Sequence, residues 1–150
     1  MARVIDVARF IVERKGEMSA MKLQKLTYYS QAWHLAFEGE PLFPSEIEAW
    51  ANGPVVPALY RAHRGQFRIE SDAFSGATPE LLTDAEKSTV LAVMEAYGEM
   101  TAHELSNLTH SERPWQEARR GIPEGQRCNA VIDTATMLEF YEELSRETAQ

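Results

Sequence analysis

The residues with the greatest chemical potential gather in "LSNLTHSERPWQEAR", residues 105–119. Thr109, His110, Glu112, Trp115 and Arg119 fall around one predicted helix-to-helix corner. A glutamate two positions from a histidine can hold its imidazole, and such a pair can move a proton as a general acid. Trp115 and Arg119, four apart, share a helix face. What this set lacks is a nucleophile. Read as an enzyme, it would be a small hydrolase relying on His110 and Glu112. Read as structure, it is a polar corner that fixes two helices, with Trp115 wedged into the core. The balance favours structure or binding over catalysis.

The rest of the chain supplies no better catalytic set. The single cysteine, Cys128, stands in "GQRCNAV" with no signature around it and reads as a buried spectator. His34, His63, His103 and His110 include no His-x-x-x-His pair, and there is no Cys-x-x-Cys. No metal and no cofactor are therefore expected. Gly121 and Gly125 are too few and too far apart to cradle a phosphate.

Binding chemistry is better represented. In "LYRAHRGQFR", Tyr60, Arg61, His63, Arg64 and Arg68 interleave aromatic and basic groups as single-stranded nucleic-acid binders do. The net charge of −8 opposes that reading, since every phosphate contact would form against repulsion. Tyr, Trp and Arg are equally the anchors of protein interfaces. The charge is also uneven: residues 1–35 carry six Lys or Arg against three acids, whereas residues 69–112 hold nine acids and one lysine. An acidic face of that kind can steer a basic partner, or simply keep the protein soluble.

These groups must be positioned by a fold, and the pattern describes a mainly α (α+β) single domain over residues 1–150. About six helices would surround a central buried helix, with one minor pair of short strands. Val4, Ala8, Ile11 and Val12 give a first helix ending at Gly16. Ser19 caps a second, running to Glu38, with Gly39 as its stop. Its apolar residues, among them Leu23, Leu26, Tyr28, Tyr29 and Trp33, cover about two thirds of its circumference, wider than a surface helix needs. Gln24, Thr27, Gln31, His34 and Glu38 form the polar strip that remains. Lys22 and Lys25 point into the apolar arc, either snorkelling at the helix end or held for an acidic partner group.

Next comes "EAWANGPVVPALYRAHRG", residues 48–65, rigid and chemically barren. Trp50 ends a short extended piece, Asn52-Gly53 turns the chain, and Pro54 and Pro57 keep Gly53 and Val56 out of helical space. Pro57 then opens a short helix that presents Tyr60, Arg61 and Arg64. Residues 66–71 suit a second strand. Capping boxes at Thr83–Glu86 and Thr101–Glu104 open two further helices, the first with Val90, Leu91, Met94 and Tyr97 facing inward. Pro114 starts "PWQEARR", and Asp133 caps the last helix. At 150 residues such a domain buries roughly 70% of its unfolded surface without disulfides or metals. One cysteine suits a reducing cytoplasm, and no signal peptide or membrane span is read in the opening residues.

Three motifs together resemble the Panacea domain family, formerly a domain of unknown function, which includes SocA-like proteins and prophage-associated relatives. They are "KLQKLTYYSQAWHL" (22–35), "EAWANGPVVPALYRAHRG" (48–65) and "LTHSERPWQEAR" (108–119), and "VIDTATMLEFY" (131–141) resembles the family's closing helix. The resemblance implies a bacterial or phage antitoxin that binds and neutralises a cognate protein toxin encoded by a neighbouring gene. One branch of the family works instead as an adaptor delivering its toxin to the ClpXP protease. Thr27 departs from the family pattern, which often carries an apolar residue there. On this reading the protein is no enzyme. Its interface would draw on Lys22, Lys25, Tyr29, Tyr60, Arg61, Arg64, His110, Trp115 and Arg119. Trp33, Trp50, Asn52, Gly53, Pro54, Pro57, Thr109 and Glu112 would frame it. A nucleic-acid-binding prophage regulator is the remaining alternative, and the aromatic content would permit a homodimer.

Overall fold

Ser19 begins the helix on which the rest of the chain is packed. Its hydroxyl accepts a hydrogen bond from the Lys22 amide at 3.1 Å, a cap that is typically worth about 1 kcal/mol. The helix it opens, α2 (Ala20–Glu38), ends where Gly39 enters the left-handed region at φ 74°. In the computed structural model, which describes residues 1–148, α2 runs through the middle of the domain. Around it lie α1 (Val4–Lys15), α4 (Asp84–Tyr97), α5 (Ala102–His110) and α7 (Thr134–Thr148). The short helices α3 (Pro57–His63) and α6 (Arg113–Ala118) complete the set, with a 3₁₀ turn at Pro79–Leu81.

The expected caps form. Thr83 and Glu86 exchange bonds at 2.8 and 3.1 Å, and so do Thr101 and Glu104. Asp133 accepts from the Ala135 amide at 3.0 Å. Leu23, Leu26, Tyr28, Tyr29 and Ala32 are almost wholly buried. Each large apolar side chain of that group contributes about 1.5–3 kcal/mol by leaving water. Tyr29 stacks on Tyr97 of α4, with ring centroids 4.2 Å apart. Tyr28 and Tyr141 of α7 pack edge to face and share a 3.0 Å hydroxyl bond.

Three details differ from the expectation. Gln24, Thr27, Gln31 and His34 do not face water, for each is under 7% exposed. Gln31 bonds Leu42 N and Phe43 O, Gln24 bonds Val56 N, and His34 meets Thr89 of α4. The polar strip therefore staples the chain's long excursion 39–57, and α4, onto the helix. In α4 Val90 and Val93 are buried and Met94 and Tyr97 pack partly buried against the core, while Leu91 is 41% exposed. Finally, the described residues form two strand pairs rather than one. Strand β4 (Arg68–Ile69) pairs antiparallel with β1 (Met18–Ser19), just before α2. Strands β2 (Glu48–Trp50) and β3 (Gly53–Val55) form a separate hairpin.

Candidate functional site

The hairpin β2–β3 is too short to hold its own shape, since isolated two-stranded ribbons are marginal in water. It is clasped from both sides. On one side, Ala49 N donates to Ala130 O at 2.8 Å and Ile132 N to Ile47 O at 2.8 Å, so residues 130–132 run along β2. On the other side stands the α5–α6 corner. Ser106 Oγ donates to Asn52 O at 2.5 Å and Trp115 Nε1 donates to Trp50 O at 2.9 Å. Arg119 donates to Ala49 O, Pro123 O and Gln126 O at 3.0, 3.1 and 2.6 Å, with its guanidinium over the Trp115 ring. The corner thus reads the hairpin's carbonyls, and one arginine ties it to the loop beyond α6.

Gly53 is what lets the hairpin lie so close to α2. Its φ is 122°, a left-handed value that side chains rarely adopt. A Cβ there would sit 2.5 Å from Lys25 Cε and 3.0 Å from Thr109 Oγ1. The turn itself is Ala51–Asn52, and Gly53 opens β3 rather than sharing the corner with Asn52. Pro54 stands opposite Ala49 in the register and is buried.

Between α2, the hairpin, α3 and residues 125–129 opens a cleft of about 1030 Å³. Trp50 and Tyr60 form an aromatic wall, edge to face at 5.2 Å. Lys25 lines it although the residue is only 1% exposed. Burial alone brings the Lys25 ammonium down to about 8, with no neighbouring carboxylate offsetting it. His63 is held below the usual imidazole range by burial and meets Gln24 Nε2 at 3.0 Å. Arg64 and Arg127 also line the cleft, together with one acid, Glu48, whose carboxylate already accepts from Trp50 Nε1 at 2.8 Å.

The nine side chains predicted to meet a partner do not share one surface. Lys25, Tyr60 and Arg64 line the cleft, and Arg61 is exposed on the same short helix. Lys22 points elsewhere, donating to Gly98 O at the end of α4 at 2.6 Å. Tyr29, Trp115 and Arg119 are interior, at 0%, 6% and 3% exposure. His110 is half-buried and stacks on Trp115 at 4.0 Å. Trp33, in α2, donates to Tyr97 Oη at 2.8 Å, and Thr109 donates to Ser106 O at 2.7 Å.

The proposed His110–Glu112 pair does not form. Glu112 turns into the core, where its Oε1 accepts from Tyr29 and Tyr141 hydroxyls, both at 2.8 Å. Burial holds its carboxyl above the usual carboxylate range, and the two tyrosine bonds only partly offset this. The nearest acid to His110 is Glu124, at 3.8 Å. Ser19 and Lys22 stand three apart, the spacing of a serine–lysine pair. Their side chains are engaged separately, one as a cap and the other on Gly98. The aromatic-basic run fares similarly: His63 is buried and Arg68 pairs with Glu17. Sequence reasoning missed Gln24, Glu48, Arg127 and Asn129 as cleft residues, and placed Cys128 in the core rather than at the cleft, where it is half-buried. No local signal marks residues 125–129; the long-range pairing of residues 130–132 with β2 and the bond from Arg119 to Gln126 O bring them here.

The architecture is thus a mainly helical domain that braces an aromatic and cationic cleft. The chain matches the description "Antitoxin SocA-like, Panacea domain" over residues 23–116, which spans α2 through α6 and thus the cleft's helices, its hairpin and the bracing corner. It is also 30% identical over 131 residues to Antitoxin SocA of Caulobacter vibrioides (strain NA1000 / CB15N), covering 77% of this chain and 69% of that protein. The chain belongs to the antitoxin SocA-like, Panacea-domain family. No solved structure gives a significant match. No helix among the described residues is long and apolar enough to cross a membrane.

Proposed function

We propose that this protein is an antitoxin of the type II kind, acting in the cytoplasm by direct binding of a protein toxin encoded by a neighbouring gene. Family membership carries the reading. The cleft supports it. Its walls are fixed by hydrogen bonds from α5, α6 and residues 130–132, so little ordering would be needed on binding. Tyr60 and Trp50 are the aromatic anchors that interfaces favour, and Arg61 and Arg64 stand beside them as exposed cations. Lys25 is the cation beneath. The core residues Tyr29, Trp115 and Arg119 act at one remove, by holding the wall in place.

Neutralisation is sequestration on this reading. Co-expression with the neighbouring gene's product in strains with and without ClpP is the test. Growth should be rescued in both. Rescue only where ClpP is present would instead assign this chain to the adaptor branch that delivers its toxin to ClpXP, and no rescue in either strain would refute the antitoxin reading.

A further inference from the structure

Lys25 is a buried cation with no ion pair among the described residues. Among those residues it is the only charged one of the largest fully buried side chains, and burial lowers its ammonium. A group so placed in a protein core is normally paired with a carboxylate or neutralised. Here Lys25 instead lines the cleft, and the further cations there, Arg64 and Arg127, are exposed and make no ion pair among the described residues. The one acid present, Glu48, is engaged by Trp50. In a chain of net charge −8, a cleft with three such cations is a local inversion of sign. Around it the lining is apolar and aromatic, and Phe67, 89% exposed, and Met21, 40% exposed, stand at the edge.

We propose that this cleft receives a carboxylate carried on a partner polypeptide, with the Lys25 ammonium as its buried counter-ion and Trp50, Tyr60 and Phe67 covering the apolar residue beside it. The proposal rests on the antitoxin reading only for the identity of the partner, the toxin; the ligand chemistry stands on the cleft itself. A polypeptide is favoured over a free inorganic anion because an anion alone would leave Phe67 and Met21 uncovered. A bound carboxylate would also supply the only partner Lys25 lacks.

The site is read with N-acetyl-phenylalanine, which joins one carboxylate to one aromatic ring, against its neutral amide and inorganic phosphate. The readout is the Lys25 Cε resonance of the full chain together with Trp50 fluorescence. The acid should give a saturable shift of Lys25, with the amide roughly 10- to 100-fold weaker, the range of a charge-assisted hydrogen bond. Phosphate should bind at least about tenfold more weakly than the acid, because it leaves the aromatic wall unused. Lys25→Met should abolish the discrimination between acid and amide while melting no lower than wild type. The surface variant Arg64→Gln/Arg127→Gln, which leaves the core untouched, should weaken the acid severalfold. Equal binding of acid and amide, no saturable Lys25 shift with either, or phosphate binding as tightly as the acid would overturn the assignment. A second arm measures neutralisation of the neighbouring gene's product. Lys25→Met should weaken it at least about tenfold, and full neutralisation by that variant would overturn the claim that the toxin supplies the carboxylate. Failure of the wild-type chain to neutralise would count against the antitoxin reading alone, and would leave the probe result standing.

Discussion

Replacing Lys25 by methionine should make the protein more stable. The two side chains are similar in length, so packing against Gly53 and Thr109 is largely kept while the charge is removed. The magnitude follows from the lowering of the ammonium from its usual 10.5 to about 8, which corresponds to roughly 3 kcal/mol against the charged form. For a domain of this size, that corresponds to a rise in Tm of roughly 6–12 °C at neutral pH. The pH dependence has a definite sign. Between about 8 and 10.5 the unfolded chain binds the Lys25 proton and the folded chain does not. Wild-type stability should therefore rise with pH across that window, relative to the variant, and the two should converge near pH 10.5. Urea unfolding of both proteins at pH 7, 8.5 and 10 is the assay. A variant that is less stable by more than about 1 kcal/mol at pH 7, with no convergence in alkali, would show that the ammonium is paired and the reasoning wrong.

Other parts of the scaffold are equally exposed to test. Gly53→Ala combines a left-handed backbone with a Cβ 2.5 Å from Lys25 Cε, and should cost about 2–4 kcal/mol by chemical denaturation. Glu112→Ala should cost a similar amount, because Tyr29 and Tyr141 lose their shared acceptor. Glu112→Gln keeps an acceptor and should stay within about 1 kcal/mol at neutral pH. With its carboxyl raised in the folded state, wild-type stability should fall as pH rises through the region just above the normal carboxylate range, and Glu112→Gln should lack that component. Arg119→Lys cannot reach three carbonyls from one guanidinium fork, so it should lose about 2–4 kcal/mol. Faster hydrogen exchange at Ala49 and Ile132, the amides through which residues 130–132 hold β2, is its structural signature.

Helix starts were legible because capping chemistry is local. Ser19, Thr83, Thr101 and Asp133 each bond a backbone amide two or three residues on, and the residue types alone announce it. The central role of α2 was also legible, since its apolar residues exceed one face. Its polar strip was misread for a physical reason: a helical wheel records polarity but not partners. Gln24, Gln31 and His34 are buried because the backbone of residues 42–56 and the α4 hydroxyl of Thr89 satisfy them. The same blindness joined His110 to Glu112. Their spacing allows the contact, but two tyrosines from α2 and α7 compete for the carboxylate and win. The cleft lay further out of reach. Lys25, Trp50, Tyr60 and Arg127 come from four separate segments, and what brings them together is the hairpin, the corner and residues 130–132. Rigidity in "EAWANGPVV" pointed to a fixed platform, and its pairing as β2–β3 gives that rigidity a form.

Direct capture of a toxin at this cleft is best tested by titration calorimetry of purified protein against the neighbouring gene's product. Wild-type chain should bind stoichiometrically, Tyr60→Ala/Arg64→Ala should weaken that binding by at least roughly tenfold while the chain stays folded at the assay temperature, and Glu95→Ala, an exposed acid of α4 outside the cleft lining, should bind as wild type does. No binding by the wild-type chain, or equal binding by the cleft variant, would contradict it.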